Sequence, residues 1–122
     1  MIVGIIGSRR RNEQSDKQLI ENELIKLIKK YGIENITICS GGCPKGGDRF
    51  AEILARQFKI PIILHKADWN GKGRAAGFIR NTDIAKDSDI LISCVALDRK
   101  GGTEDTIKKF KKMKPFSEVI LV

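Results

Sequence analysis

Ile36-Thr37-Ile38-Cys39-Ser40-Gly41-Gly42-Cys43-Pro44-Lys45-Gly46-Gly47-Asp48-Arg49 decides how the rest of the chain is read. A β-type apolar run, Ile36 to Cys39, enters a turn with four glycines in seven residues, Gly41 to Gly47. An amphipathic helical pattern then runs from Arg49 to Phe58, with Ala51, Ile53, Leu54, Ala55 and Phe58 on its apolar side. Strand, glycine turn, helix is the order in which a parallel sheet presents unpartnered backbone N–H groups at a helix start. The helix dipole adds partial positive charge there, so an anion such as phosphate is the expected ligand. Lys45 is not placed as in a Walker A loop, and the spacing is not GxGxxG, so the turn alone does not specify the ligand.

The same unit recurs outward from this stretch. Ile2 to Ile6 reads as the first strand, followed by the loop Gly7-Ser8-Arg9-Arg10-Arg11-Asn12. A helix capped by Ser15 or Asp16 runs to about Lys30, with Leu19, Ile20, Leu24, Leu27 and Ile28 at helical spacing, and Gly32 ends it. The second strand is Thr37 to Ser40 and the third Pro61 to His65. A polar stretch from Lys66 to Gly73 carries the single tryptophan, Trp69, and a helix follows from about Arg74 to Lys86. Asp89 to Cys94 is the fourth strand and Ala96 to Gly102 a loop. Thr103 or Glu104 to Lys114 is the last helix, and Ser117 to Val122 the fifth strand. Four helices between five strands predict a single α/β domain over residues 1–122: a Rossmann-like, doubly wound, five-stranded, mainly parallel sheet with helices on both faces. Strands 1 and 4 are expected side by side at the switch point, where ligands bind beyond the strand carboxyl ends.

Composition narrows the classes. Hydrophobic residues make up 41% and charged residues 31% of 122, a globular balance with enough chain for a core without disulfides or metal. No apolar run approaches the roughly 18–20 residues that span a bilayer, so no membrane partner is expected. The start, Met1 to Gly7, lacks a basic segment and cleavage site and reads as a buried strand. Three cysteines read as free thiols, which places the protein in a reducing cytoplasm. Cys39, Cys43 and His65 match no zinc-binding spacing, and no metal is expected. The net charge of +8 favours anionic partners, its excess lying in Arg9-Arg10-Arg11 and in Lys108, Lys109, Lys111, Lys112 and Lys114. The lysines read as the wet face of a helix, whereas the arginines follow a strand end directly.

With strands 2, 1 and 4 adjacent, three glycine-bearing loops converge: Gly7-Ser8-Arg9, Ser40-Gly41-Gly42 and Gly101-Gly102-Thr103. Each offers backbone N–H groups, Ser8 and Thr103 add hydroxyls, and Arg9 adds a charged fork for phosphate. These stretches occur in order with Gly46-Gly47-Asp48, Ala67-Asp68-Trp69, Gly73-Arg74-Ala75-Ala76-Gly77 and Arg80-Asn81. Together they resemble the SLOG superfamily, specifically its small YspA-like, cpYpsA-related family, over nearly the whole chain. The resemblance implies a Rossmann-like fold and a nucleotide or nucleotide-derived ligand. It extends more distantly to the LOG phosphoribohydrolases and to DprA, which binds single-stranded DNA.

Arg80 matches the LOG arginine on the helix before strand 4, and Gly101-Gly102-Thr103 matches the end of the LOG Pro-Gly-Gly-x-Gly-Thr loop. The proline is missing, Lys100 takes the first glycine's place, and Asp105 stands where the enzymes carry a glutamate. Hydrolysis of an N-glycosidic bond builds positive charge on ribose, which a carboxylate stabilises, and Asp105, Glu104 and Asp48 are the candidates. Arg80 and Asn81 are expected at phosphate or ribose, and Trp69 either stacks on a base or fills a packing gap. The expected ligand set is thus Gly7, Ser8, Arg9, Ser40, Gly41, Gly42, Gly46, Asp48, Trp69, Arg80, Asn81, Gly101, Gly102 and Thr103, with Arg80, Asp105 and Glu104 as catalytic candidates and no required cofactor.

Three functions follow in order. The first is binding or sensing of a nucleotide derivative, a nucleoside phosphate or an ADP-ribose-like molecule. The second is phosphoribohydrolase activity of the LOG kind. The third is DprA-like binding of single-stranded nucleic acid. Seven aromatics (five Phe, one Trp, one Tyr) without a spaced platform weigh against that last reading. Homo-oligomerisation is an expectation that rests on the relatives.

Overall fold

The computed structural model describes residues 1–122. Its sheet has the order β3-β2-β1-β4-β5, with strands β1 (Ile2–Gly7), β2 (Thr37–Ser40), β3 (Ile62–Leu64), β4 (Ile90–Cys94) and β5 (Val119–Leu121). Every pairing is parallel: Gly4 lies opposite Cys39 and Leu91, and Ser40 opposite Leu64. The expected neighbours β2, β1 and β4 are therefore adjacent, and the sheet is wholly rather than mainly parallel.

The helices are α1 (Gln14–Tyr31), α2 (Gly47–Phe58), α3 (Trp69–Lys72), α4 (Ala75–Asp87) and α5 (Gly102–Met113). The short α3 lies in the stretch read from sequence as a polar loop; its N-terminal carboxylate, Asp68, accepts the Gly71 N–H at 3.0 Å. The N-cap of α1 is Glu13 rather than Ser15 or Asp16, and Asp16 completes a capping box with it. Asp16 sits inside the first turn, where its carboxylate accepts the Glu13 N–H at 3.1 Å and the Arg11 Nε–H at 2.9 Å. Gly32 ends α1 with φ 88°, and its N–H reaches the Ile28 carbonyl.

Strand alternation divides the core in two. Val3, Ile5, Ile38, Ile90 and Ile92 point to one face, under Ile20, Leu24 and Leu27 of α1 and Phe50, Ala51 and Leu54 of α2. Ile6, Cys39 and Leu91 point to the other, under Ile84 and Ala85 of α4 and Ile107 and Phe110 of α5. Burial of such apolar surface at roughly 25 cal/mol per Å2 is what holds the layers together. Because both faces are covered, backbone groups without partners are left chiefly at the strand ends, and the loops there build the site. No helix is long and apolar enough to cross a membrane.

Candidate functional site

The β1–α1 and β2–α2 loops meet backbone to backbone. A methyl group built on Gly47, the first residue of α2, lands on the main chain of Ile6 and Gly7. One built on Gly46, whose φ is 75°, lands on the Ser8 carbonyl. Asn12 ties the junction: its Oδ1 accepts the Gly46 N–H at 2.8 Å and the Arg49 Nε–H at 3.0 Å, and the Arg49 guanidinium lies 4.6 Å from the Phe50 ring centre. Gly46 and Gly47 are thus glycines because two loops need the space, rather than to admit a ligand.

Beside this junction lies a cavity of about 280 Å3. The β1 end supplies Gly7, Ser8 and Arg9 to its wall, and α2 supplies Asp48. Arg80 and Asn81 enter from α4, and Gly101, Gly102 and Thr103 from the start of α5. A second cavity of about 250 Å3 shares Arg9, Cys43 and Arg80 with the first and adds Gly41, Gly42, Lys66 and Trp69. All three glycine loops contribute to these walls. Ser40 and Gly46 line neither: Ser40 is fully buried beneath, and Gly46 faces Ser8. Sequence reasoning missed Cys43, Lys66 and Lys100 on the walls. Lys66 carried a usable signal, since it follows a strand carboxyl end as Arg9 does.

Both α5 carboxylates turn away. Asp105 accepts the Asn81 amide at 3.1 Å and pairs with Lys109 at 2.8 Å, while Glu104 holds Arg99 in a bidentate pair at 2.8 and 2.9 Å. Neither lines either of these two cavities. Thr103 and Thr106 occupy the α5 face that does, because Ile107 and Phe110 are locked into the core and set the phase of the helix. Asn81 spends its amide hydrogens on Asp105 and on the Gly102 carbonyl, at 3.2 Å, which leaves its Oδ1 acceptor for the cavity.

The carboxylate that does reach the cavity is Asp48, 8% exposed. Burial pushes its pKa up, against the opposing pull of the Cys43 N–H at 3.1 Å and of the Ser40 hydroxyl. Ser40 Oγ lies 2.6 Å from the Ile5 carbonyl and 2.9 Å from Asp48 Oδ1. One hydroxyl proton cannot fully serve both acceptors, so Ser40 is a weak counterweight to the burial of the Asp48 carboxylate. The unfolded chain loses the Asp48 proton at lower pH than the folded one. Its ionisation therefore lowers stability as pH rises from the ordinary carboxylate range through the raised folded value. Asp48→Asn keeps a donor toward Ser40 and an acceptor for Cys43 without that charge. In urea unfolding, the stability of Asp48→Asn relative to wild type should rise from pH 3 to pH 7; a pH-independent difference refutes the assignment.

Arg80 completes the wall. A methyl on Gly41 would lie 2.7 Å from Asp48 Oδ2 and 2.9 Å from Arg80 Cδ, so the arginine stem and the carboxylate fill the space that Gly41 leaves. Arg80 Nε is buried and has no hydrogen-bond partner. Arg10, by contrast, is committed to Asp98 through two bonds at 2.8 and 2.7 Å, and this contact raises the Arg10 pKa and lowers that of Asp98. Arg9 takes part in no ion pair within the chain.

Trp69 is 52% exposed, with its ring edge 3.2 Å from where a Gly77 methyl would stand. It thus rests on Gly77 and also borders the second cavity. Cys43 lies on the cavity walls, apart from Cys39 and His65, with which the sequence grouped it. Those two come together instead with Asp87.

Comparison with known proteins agrees with this architecture. No curated protein matches the sequence. The solved structure of the molybdenum cofactor binding protein from the phototrophic bacterium Rippkaea orientalis superposes with a TM-score of 0.68, over 98% of this chain and 74% of that one, at 22% identity. At that identity the likeness is one of fold. The sequence model of the YspA, cpYpsA-related SLOG family matches residues 1–71, from β1 through the glycine turn to Trp69, and the chain belongs to that family.

Proposed function

We propose that residues 1–122 act as one domain that binds a nucleotide derivative, a nucleoside phosphate or an ADP-ribose-like molecule, with phosphate against the β1 and α5 loop ends. The observation that carries this reading is the buried, unpartnered Nε of Arg80 between the two cavities. A buried charged donor without an acceptor costs about 1–3 kcal/mol or more, a cost that an incoming phosphate oxygen relieves. Arg9, Lys66 and Lys100 add positive charge on the walls against the single carboxylate of Asp48. A fold neighbour that is a cofactor-binding protein is in keeping with a small-molecule ligand.

Binding takes precedence over hydrolysis because Asp105 and Glu104 are occupied by Lys109, Asn81 and Arg99. Turnover would fall to Asp48 alone, whose pKa burial raises.

The test is thermal shift against nucleoside mono- and diphosphates, NAD and ADP-ribose, followed by chromatography of each mixture. A ligand at about 100 times its Kd adds roughly 2.7 kcal/mol of stability. The expected result is a clear shift with ligand recovered intact. Free base and ribose phosphate in the mixture would make the protein a hydrolase, and no shift with any nucleotide defeats the proposal. Trp69 is the only tryptophan, so its fluorescence is a second reporter. A ligand whose base enters the second cavity should quench it, while inorganic phosphate at the first should leave it unchanged.

A further inference from the structure

The fold gathers three donor side chains on the sheet face beneath α4. Cys39 comes from the middle of the sheet, His65 from the residue after β3, and Asp87 from the last residue of α4. One ligand atom from each lies within 4.8 Å of the other two. We propose that Cys39, His65 and Asp87 form a binding site for a zinc-class divalent cation, with the remaining coordination position open to water.

The donor set fits such an ion. Thiolate, imidazole and carboxylate are all zinc ligands, and three protein ligands with one open position is a common arrangement. The charges also fit: a divalent ion with one thiolate and one carboxylate is neutral overall, which suits a partly buried place. Binding releases the Cys39 proton to solvent, while His65 coordinates as neutral imidazole and Asp87 as carboxylate. No electron is transferred.

The three donor atoms, all within 4.8 Å of one another, must adjust to coordination spacing. Tetrahedral zinc bonds place N and O ligands about 3.3 Å apart and sulfur about 3.6 Å from either. His65 Nε2 and Asp87 Oδ2 stand 2.6 Å apart, so the ion replaces their hydrogen bond and parts them by about 0.7 Å. Their side chains are 24% and 38% exposed, which leaves room for that rotation and gives the ion its entry. Cys39 is the fixed ligand, held between β1 and β3 and inaccessible to solvent. Lys114, whose charge acts on the Cys39 thiol, is engaged by the Lys86 and Ser88 carbonyls.

None of the three residues lines the nucleotide cavity, so this site stands or falls independently of the proposed ligand. The experiment is titration of chelator-stripped protein with Co2+. The expected result is one equivalent bound, with a thiolate-to-cobalt charge-transfer band and intense four-coordinate visible bands, both bleached by Zn2+. Cys39→Ser should lose the charge-transfer band, whereas Cys43→Ser and Arg80→Ala should retain it. His65→Gln and Asp87→Asn, at half-exposed positions that spare the core, should weaken cobalt binding by at least about tenfold, the lower end of what indirect changes around a metal already cause. Absence of the charge-transfer band in wild type, or undiminished affinity in both His65→Gln and Asp87→Asn, overturns the site.

Discussion

Replacing Arg80 with alanine should weaken nucleotide binding by about 10- to 150-fold while changing the thermal stability of the ligand-free protein only slightly. The size follows from a charge-assisted hydrogen bond of about 1.5–3 kcal/mol between guanidinium and phosphate. The second half of the expectation is the more discriminating. Arg80 forms no ion pair closer than 4.0 Å, and its buried Nε has no partner, so truncation removes an unsatisfied group, which offsets the loss of the stem packed on Gly41 and of a charge that acts on Asp48. Alanine is also a better α4 residue by propensity. Arg80→Lys should recover only part of the affinity, because an ammonium cannot place a donor at the Nε position. Isothermal titration with the nucleotide identified by thermal shift, alongside melting curves, separates the outcomes. Lost stability with unchanged affinity would make Arg80 a structural residue and remove the main support for the proposed site.

The largest effect on folding should come from Gly47→Ala. The added methyl meets the main chain of Ile6 and Gly7, and neither can move without breaking β1 away from its place between β2 and β4. Overpacking against backbone rather than a flexible side chain belongs at the upper end of its range, about 3 kcal/mol. For a chain of this size, that is a fall in Tm on the order of 10 °C. Gly102→Ala is the control. It stands at the same position of its helix as Gly47 does in α2 and lines the cavity, yet its methyl would meet only the Asn81 amide nitrogen, at 3.8 Å. It should stay within about 0.5 kcal/mol of wild type. Equal losses in the two variants, read by urea unfolding, would show that both glycines serve helix-start geometry and that the β1–α2 contact is not special.

These two glycines also show where the sequence reading stopped. The turn from Gly41 to Gly47 was recognisable as a close-approach element, but not what approaches. Gly47 faces backbone, Gly41 faces Asp48 and Arg80, and Gly102 faces the cavity. A glycine records that a side chain is excluded; the excluding atoms belong to distant segments.

The sequence by itself determined the fold and where the proposed site is to be sought. Short apolar runs alternating with amphipathic helices admit little besides a parallel sheet covered on both faces, and such a sheet leaves ligand-binding loops at its carboxyl edge. Arg9 and Thr103 follow from that logic, as does the order β2-β1-β4, whereas Arg80 was singled out by the resemblance to the LOG enzymes. Only the tertiary structure decided which carboxylate reaches the cavity. From the sequence Asp105 and Glu104 stood ahead of Asp48 as candidate carboxylates, but the burial of Ile107 and Phe110 rotates α5 so that Glu104 and Asp105 find Arg99 and Lys109 instead. Likewise, nothing in their spacing joins Cys39 and His65 to Asp87. Parallel register sets the first two on one face of neighbouring strands, and the packing of α4 brings the third to them. Periodicity is local and survives in the sequence, whereas helix phase and cross-strand register are set by contacts between segments far apart in the chain.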